Sequence, residues 1–209
     1  MSLHMPITMR KIRHHFQYAV WMYLLLAAIA MFGWNLIYTT TRYRPPENKQ
    51  VEFYVQAGMN SEQPLNELAD RIHKEVMPEM ESVTSTLITI TDDYYGNMQL
   101  TVWISAAQGD VYLLSRDYFK SFAEGGAFMD LQPMIDNGTL NVSGLDLSGG
   151  TLRQTDSGVA GQYGIPADAL KGFTADLIDP KNMVLCILYN NGNDEYSVKF
   201  LNYLLENLR

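Results

Sequence analysis

The sequence predicts an α/β protein in which one N-terminal transmembrane helix precedes a single compact α/β domain. Three observations lead there. Residues 16–38 contain no Asp, Glu, Lys or Arg. From residue 51 onward, short β-prone runs alternate with stretches whose apolar residues recur at helical spacing. The charge divides near the same boundary: residues 1–46 hold five basic and no acidic residues, and the remainder holds ten basic against 23 acidic residues. The expected organisation is a short cytoplasmic segment at 1–15, a membrane helix at 16–38, a Pro-containing stalk at 39–49 and an extracytoplasmic domain at 50–209.

As a helix rising ~1.5 Å per residue, residues 16–38 reach about 30 Å or slightly more, enough to cross a bilayer core. Trp21 and Tyr23 lie near one end, Trp34 and Tyr38 near the other, and such amphipathic rings favour the membrane interfaces. Ala28-Ile29-Ala30 resembles a signal-peptide cleavage site, but apolar residues continue past it through Ile37, which favours an uncleaved anchor. Arg10, Lys11 and Arg13 precede the segment, and Arg42, Arg44 and Lys49 follow it, so the positive-inside count is close to a tie. His14 and His15 tilt it toward an inside N-terminus. The expected location is a bacterial cell membrane, crossed once, with the C-terminal domain outside. Pro45 and Pro46 then stiffen the stalk.

Along the domain, residues 51–56 read as a strand that ends at Ala57-Gly58. Leu65, Leu68, Ala69, Ile72 and Val76 mark a helix, with Pro64 in its first turn and Pro78 beyond its end. Residues 83–91 are dense in β-branched side chains, with Ile88 and Ile90 on one face of a second strand. Residues 97–107 fit both a strand and a helix. Gly109-Asp110 leads into a short buried strand at 111–114, after which Ser115 reads as an N-cap with Asp117 in the first helical turn. That helix stops at Gly125-Gly126. Residues 136–163 read as loops with short strands, 183–189 as a strand buried on both faces, 190–193 as a turn, and the chain's end as a helix carrying Val198, Leu201, Leu204, Leu205 and Leu208. The sheet is expected to be at least partly parallel.

The order of these elements resembles the first lobe of a type 2 extracellular solute-binding protein. The stretch ISAAQGDVYLLSRDYFKSFAEGGAFMDLQPMI at 104–135 is the most specific, with support from Tyr163-Gly164-Ile165-Pro166 and the KFLNYL segment at 199–204. The resemblance implies a helix at 97–107 and a truncated, single-lobe, membrane-anchored relative of that family. Two departures stand out. Only residues 136–162 lie where a second lobe would be inserted, and the anchor is a helix instead of a lipid-modified cysteine. A likeness of fold does not transfer solute binding by itself.

Candidate chemistry is sparse. The sole cysteine, Cys186, excludes an internal disulfide or a Cys-based zinc cluster and reads as an inert core thiol. His73 is the only histidine beyond the anchor and reads as lying on a solvated helix face. Asp92, Asp93 and Asp110 lack calcium-loop spacing, and Asp110 reads as fixing a turn through its side chain. Gly144, Gly149 and Gly150 are not followed by the Gly-Lys-Ser/Thr of a phosphate loop. Asn137 and Asn141 head glycosylation sequons, which matter only in a glycosylating pathway. The twelve methionines show no regular ligand spacing. No cofactor or metal is expected.

The acidic domain argues against nucleic-acid binding. In open α/β sheets ligands sit beyond the carboxyl ends of the strands, which here selects Met59, Asn60, Asp92, Tyr94, Tyr95, Ser115 and Arg116 as the candidate rim. Tyr94-Tyr95 supplies either a stacking surface or loop packing, and Arg116 a carboxylate clamp. The expectation is a non-enzymatic, membrane-anchored binding protein whose partner is an envelope protein or a transporter. The alternative is a small-solute receptor or transporter accessory subunit.

Overall fold

The computed structural model describes residues 9–43, 45–57, 62–88, 94–153, 158, 160–170, 180–189 and 192–208. Arg44, Gly58, Met59, Asn60, Ile90, Asp92 and Asp93, named above, lie outside the described residues, as do 89 and 91 of the second expected strand and 190–191 of the expected turn. The chain divides into two units, one through Arg44 and one from Pro45.

The first unit is one helix, α1 (Met9–Thr41). Within it, Ala19–Thr41 has a mean hydropathy of 1.9 and is long and apolar enough to cross a membrane. Trp21, Phe32 and Trp34 are 79%, 78% and 72% exposed, so this stretch has no buried stripe of the kind a soluble core helix shows. The helix runs past Tyr38 because Thr39, Thr40 and Thr41 turn their hydroxyls back onto the carbonyls of Asn35, Leu36 and Ile37, at 2.9, 2.7 and 2.6 Å. A polar side chain that bonds its own helix can stay in an apolar setting.

The second unit is mixed α/β. Its elements are β1 (Gln50–Gln56), α2 (Gln63–Glu75), β2 (Ser82–Ile88), α3 (Tyr94–Ser105), β3 (Val111–Ser115), α4 (Arg116–Glu124), α5 (Gln132–Asp136), β4 (Thr151–Arg153), β5 (Ala160–Gln162), β6 (Ile165–Pro166), β7 (Met183–Ile187) and α6 (Asp194–Asn207). The main sheet has the order β2-β1-β3-β7-β6, and β4 pairs with β5 separately. β1 runs parallel to β2 and β3, whereas β7 runs antiparallel to both β3 and β6.

Alternation along the strands builds two cores. On one face, Phe53, Val55, Val111, Leu113, Leu185 and Ile187 pack with Leu65 and Ile72 of α2 and with Phe200, Leu201 and Leu204 of α6. On the other, Tyr54, Tyr112, Leu114, Val184 and Cys186 pack with Leu100 of α3, Phe119 of α4 and Phe128. Phe53 meets Phe200 at 5.1 Å between ring centroids, and Tyr54 stacks on Tyr112 at 5.0 Å. β7 is buried at every position, as a strand covered on both faces must be. Burial also pushes the Cys186 thiol pKa well up, which keeps it neutral and unreactive.

The structure decides several local details that the sequence left open and corrects others. Residues 97–107 are helical through Ser105, because Leu100 and Ile104 bury on the Tyr54–Tyr112 face and outweigh the β preference of Thr101 and Val102. The apolar run at 183–189 is not buried to its end: the strand stops at Ile187, and Tyr189 is 63% exposed. Ser115 does occupy the N-cap position of α4, yet its side chain makes no cap hydrogen bond. His73 is half-buried instead of solvated, with Nε2 2.8 Å from the Met80 carbonyl oxygen, because the chain after α2 folds back beneath it.

Gly109 carries the sharpest steric constraint near β3. Its φ is +80°, and a Cβ there would lie 2.4 Å from two Tyr54 ring atoms. Gly138 has a similar φ of +76°, but a Cβ there would meet nothing within 4 Å among the described residues. Gly109→Ala is therefore expected to lower stability by about 1–3 kcal/mol more than Gly138→Ala does, because both share the backbone strain and only the first meets a ring. Urea unfolding midpoints of the two variants check this.

Candidate functional site

The carboxyl ends of β1 and β3 lie side by side and are joined there. The Ser115 amide donates to Oε1 of Gln56 at 2.8 Å. The next amide, Arg116 N–H, donates to the Asn182 carbonyl at 3.0 Å. These two bonds satisfy donors at the start of α4, which explains how the helix begins without a side-chain cap.

Arg116 is held by the chain itself. Its Nη2 donates to Oδ2 of Asp168 at 2.7 Å, while Oδ1 of Asp168 accepts the Asn182 amide at 3.1 Å. Asn182 sits at a φ of +62°, a left-handed conformation that asparagine tolerates better than most residues. Arg116, Asp168 and Asn182 thus tie the start of α4, the chain after β6 and the chain before β7 into one knot. A Cβ on Gly149 would come within 3.2 Å of Arg116 Cζ, so the guanidinium lies against bare backbone. Arg116 Nε is buried and has no acceptor among the described residues. Hydrogen bonds from the Ser148 amide and hydroxyl, with a smaller contribution from Arg116, lower the pKa of exposed Asp146.

Behind the knot, buried Gln162 organises the small β4–β5 ribbon. Its Nε2 donates to the carbonyls of Gly164 and Leu147, and its Oε1 accepts the Thr151 hydroxyl at 2.7 Å. Gly150 is needed there, since any Cβ would overlap the Gly164 carbonyl.

The opposite, amino edge of the sheet carries a second polar cluster. Oδ2 of buried Asp110 accepts the Glu52 amide at 2.7 Å, and the Asp110 amide donates to the Glu52 carbonyl at 3.0 Å. The Tyr54 hydroxyl donates to Oε2 of Glu52 at 3.3 Å. Burial first, then the Glu52 carboxylate, pushes Tyr54 up to about 12, and burial pushes Tyr112 up as well. Next to this cluster is an open cleft of about 400 Å³, lined in part by Asn48, Lys49, Glu79, Asn193 and Tyr196. No group of three or more His, Cys, Asp or Glu side chains placed to hold a metal occurs among the described residues.

Of the residues selected by the carboxyl-end rule, Ser115 and Arg116, consecutive in the chain, lie at the end of β3 and the start of α4. Tyr94 and Tyr95 begin α3, and Met59, Asn60 and Asp92 lie outside the described residues. Sequence reasoning missed Gln56, Asp168 and Asn182. Gln56 was open to discovery, as the last residue of β1 in a rule that already used strand ends. Asp168 and Asn182 were not, because they lie 52 and 66 residues beyond Arg116 with no motif between. Asp110 acts across the sheet on a residue 58 positions away, not within its own turn.

No protein-family model matches the chain, and no curated protein matches it. Among solved structures, the chain is similar to an extracellular solute-binding protein of family 1 from Alicyclobacillus acidocaldarius subsp. acidocaldarius DSM 446, at 16% identity, over 60% of this chain and 29% of that one, with a TM-score of 0.44. An ABC substrate-binding protein from Listeria monocytogenes, in complex with cycloalternan, is similar at 22% identity over 55% of this chain and 28% of its own, with a TM-score of 0.39. An ABC transporter solute-binding protein from Agrobacterium vitis S4 with bound D-mannitol is similar at 14% identity over 56% and 26%, also at 0.39. The match thus covers less than a third of each of these proteins.

The knot at Arg116 separates two roles of Asp168. The ion pair is exposed by 42% and 44% at its two side chains, so a double-mutant cycle is expected to give a coupling of only about 0.2–1 kcal/mol. Asp168→Ala is expected to cost more than Arg116→Ala, because it also strips the acceptor from the Asn182 amide. Thermal or urea unfolding of the two single variants and the double variant reads both values.

Proposed function

We propose that this protein is a non-enzymatic binding module, anchored to a cell membrane by α1 and presenting its α/β unit outside the cell to a protein partner. The observation that carries the reading is the carboxyl-end rim. Gln56, Ser115-Arg116, Asp168 and Asn182 come from four segments and meet where open α/β sheets place their ligands. Arg116 enters this rim already neutralised by Asp168, and the pair remains over 40% exposed. Such a half-open, internally balanced polar surface suits the rim of a protein interface, where polar groups supply register and specificity. Catalysis would call for a nucleophile and base, or carboxylates, converging on one reacting atom, and the reading assigns no such role to these five residues.

The anchor rests on the length and apolar character of Ala19–Thr41 and on the aromatic residues near its ends. Leu26→Arg places a charge at mid-span and is expected to shift the chain from the membrane fraction to aggregated or degraded material, at a cost of about 2.5–3.5 kcal/mol for insertion. Alkaline carbonate extraction followed by blotting reads the outcome.

The second reading is a small-solute receptor or transporter accessory subunit, favoured by the guanidinium and carboxylate set out at the strand ends. The two readings separate in one experiment. Thermal unfolding of the full chain in nanodiscs is followed with sugars, polyols, amino acids and peptides, alongside cross-linking in native membranes. A solute present at 100 times its dissociation constant adds about 2.7 kcal/mol of stability and a raised midpoint. A partner-dependent cross-link that Arg116→Glu abolishes, with no solute shift, supports the protein-partner reading. A solute shift that Arg116→Glu abolishes moves the assignment to the receptor.

A further inference from the structure

We propose that Asp110 is a proton-controlled catch that seats the first turn of α6 on the amino edge of the sheet. The geometry begins with Asn193, the residue before α6. Its Nδ2 donates to the Gln50 carbonyl at 2.6 Å, and its side chain also hydrogen-bonds the Asp110 carboxyl. Asn193 makes no side-chain cap to its own helix, because its amide is spent between β1 and Asp110. The entry of α6 therefore depends on Asp110 and β1, not on a local cap. Asp110 is in turn tied to Glu52 through both its carboxyl and its amide, and its carbonyl accepts the Leu188 amide at 2.9 Å.

The charged surroundings make this junction sensitive to one proton. β1 contributes the Glu52 carboxylate and the Tyr54 hydroxyl bonded to it, β3 contributes Tyr112, and α6 contributes Asp194. The stretch after β7 contributes the Leu188 backbone amide. Lys49 faces the adjoining cleft but is paired with Glu81 at 2.9 Å, and Lys199 is paired with Glu195 at 3.0 Å. No Lys or Arg ion pair to Asp110 occurs among the described residues. A buried carboxyl facing two acidic neighbours is stable as the neutral acid. Once it ionises, three negative charges crowd the point where α6 meets β1, and the α6 side of the cleft loosens.

The direction of the pH effect follows from the same balance. Burial first, and then Glu52 and Asp194, raise Asp110 to about 7, against the opposing hydrogen bonds from the Glu52 amide and Asn193. In the unfolded chain the group ionises near an ordinary carboxyl value of about 4. Between those two values the folded state holds a proton that the unfolded state has lost, so the contribution of Asp110 to stability falls as pH rises and is gone above about 7.

Hydrogen exchange of the full chain in nanodiscs tests the catch. After correction for intrinsic exchange, protection of the Ser197 and Val198 amides is expected to drop about tenfold for each pH unit between about 4 and 7 and to level off above 7, the linkage of one proton. Asp110→Asn is expected to hold protection constant across the same range. If that variant does not fold, Asp194→Asn serves instead and is expected to move the transition to lower pH. Protection in the wild type that does not change with pH overturns the proposal. So does a transition that survives Asp110→Asn or keeps its midpoint in Asp194→Asn.

Discussion

The pairing of Asp110 with Glu52 sets the register on which the rest of the domain depends. Asp110 ends the turn after α3, and its carboxyl and amide both engage the backbone of Glu52. That fixes where β3 enters beside β1, with Phe53 opposite Val111 and Val55 opposite Leu113. A slip of one residue would send Val111 and Leu113 to the face now held by Tyr112 and Leu114. Gly109 permits the turn, since only a residue without Cβ fits against the Tyr54 ring at that φ. The aromatic stack of Tyr54 on Tyr112 then follows from the register.

The two ends of the sheet are built differently. At the carboxyl end, Ser115, Arg116, Asp168 and Asn182 form a compact set in which the charges cancel and the backbone donors are mostly used. At the amino end, Asp110, Glu52 and Asp194 bring like charges toward one another. The first arrangement favours a stable surface. The second sets like charges against one another, and burial with those neighbours raises the Asp110 carboxyl to about 7.

Much of the fold was legible because local chemistry and tertiary packing agree. Leu65, Leu68, Ala69 and Ile72 recur at helical spacing and are the buried residues of α2. Gly125 and Gly126 end α4 where a missing Cβ allows the turn, with Gly126 at a φ of +75°. Residues 97–107 were ambiguous in isolation, because Thr101 and Val102 suit a strand while Leu100 and Ile104 suit one side of a helix. Only the presence of the Tyr54–Tyr112 face across from them decides between the two. The rim was less legible. Strand ends named Ser115 and Arg116, but nothing local joins Arg116 to Asp168, and the Gln56 amide oxygen finds Ser115 across 59 positions.

The sequence by itself determined the apolar length of α1, the alternation of strands with helices, the acidic character of the α/β unit and the apolar stripes that cover the sheet. These depend on composition and on periods of two or 3.6 residues, which are properties of contiguous chain. The tertiary structure alone decided that β7 runs antiparallel beside β3, that Arg116 is neutralised by Asp168, and that Asp110 is buried between Glu52 and Asp194. Each joins groups far apart in the chain, and their charge state is set by distance and burial, quantities that exist only once the chain has folded.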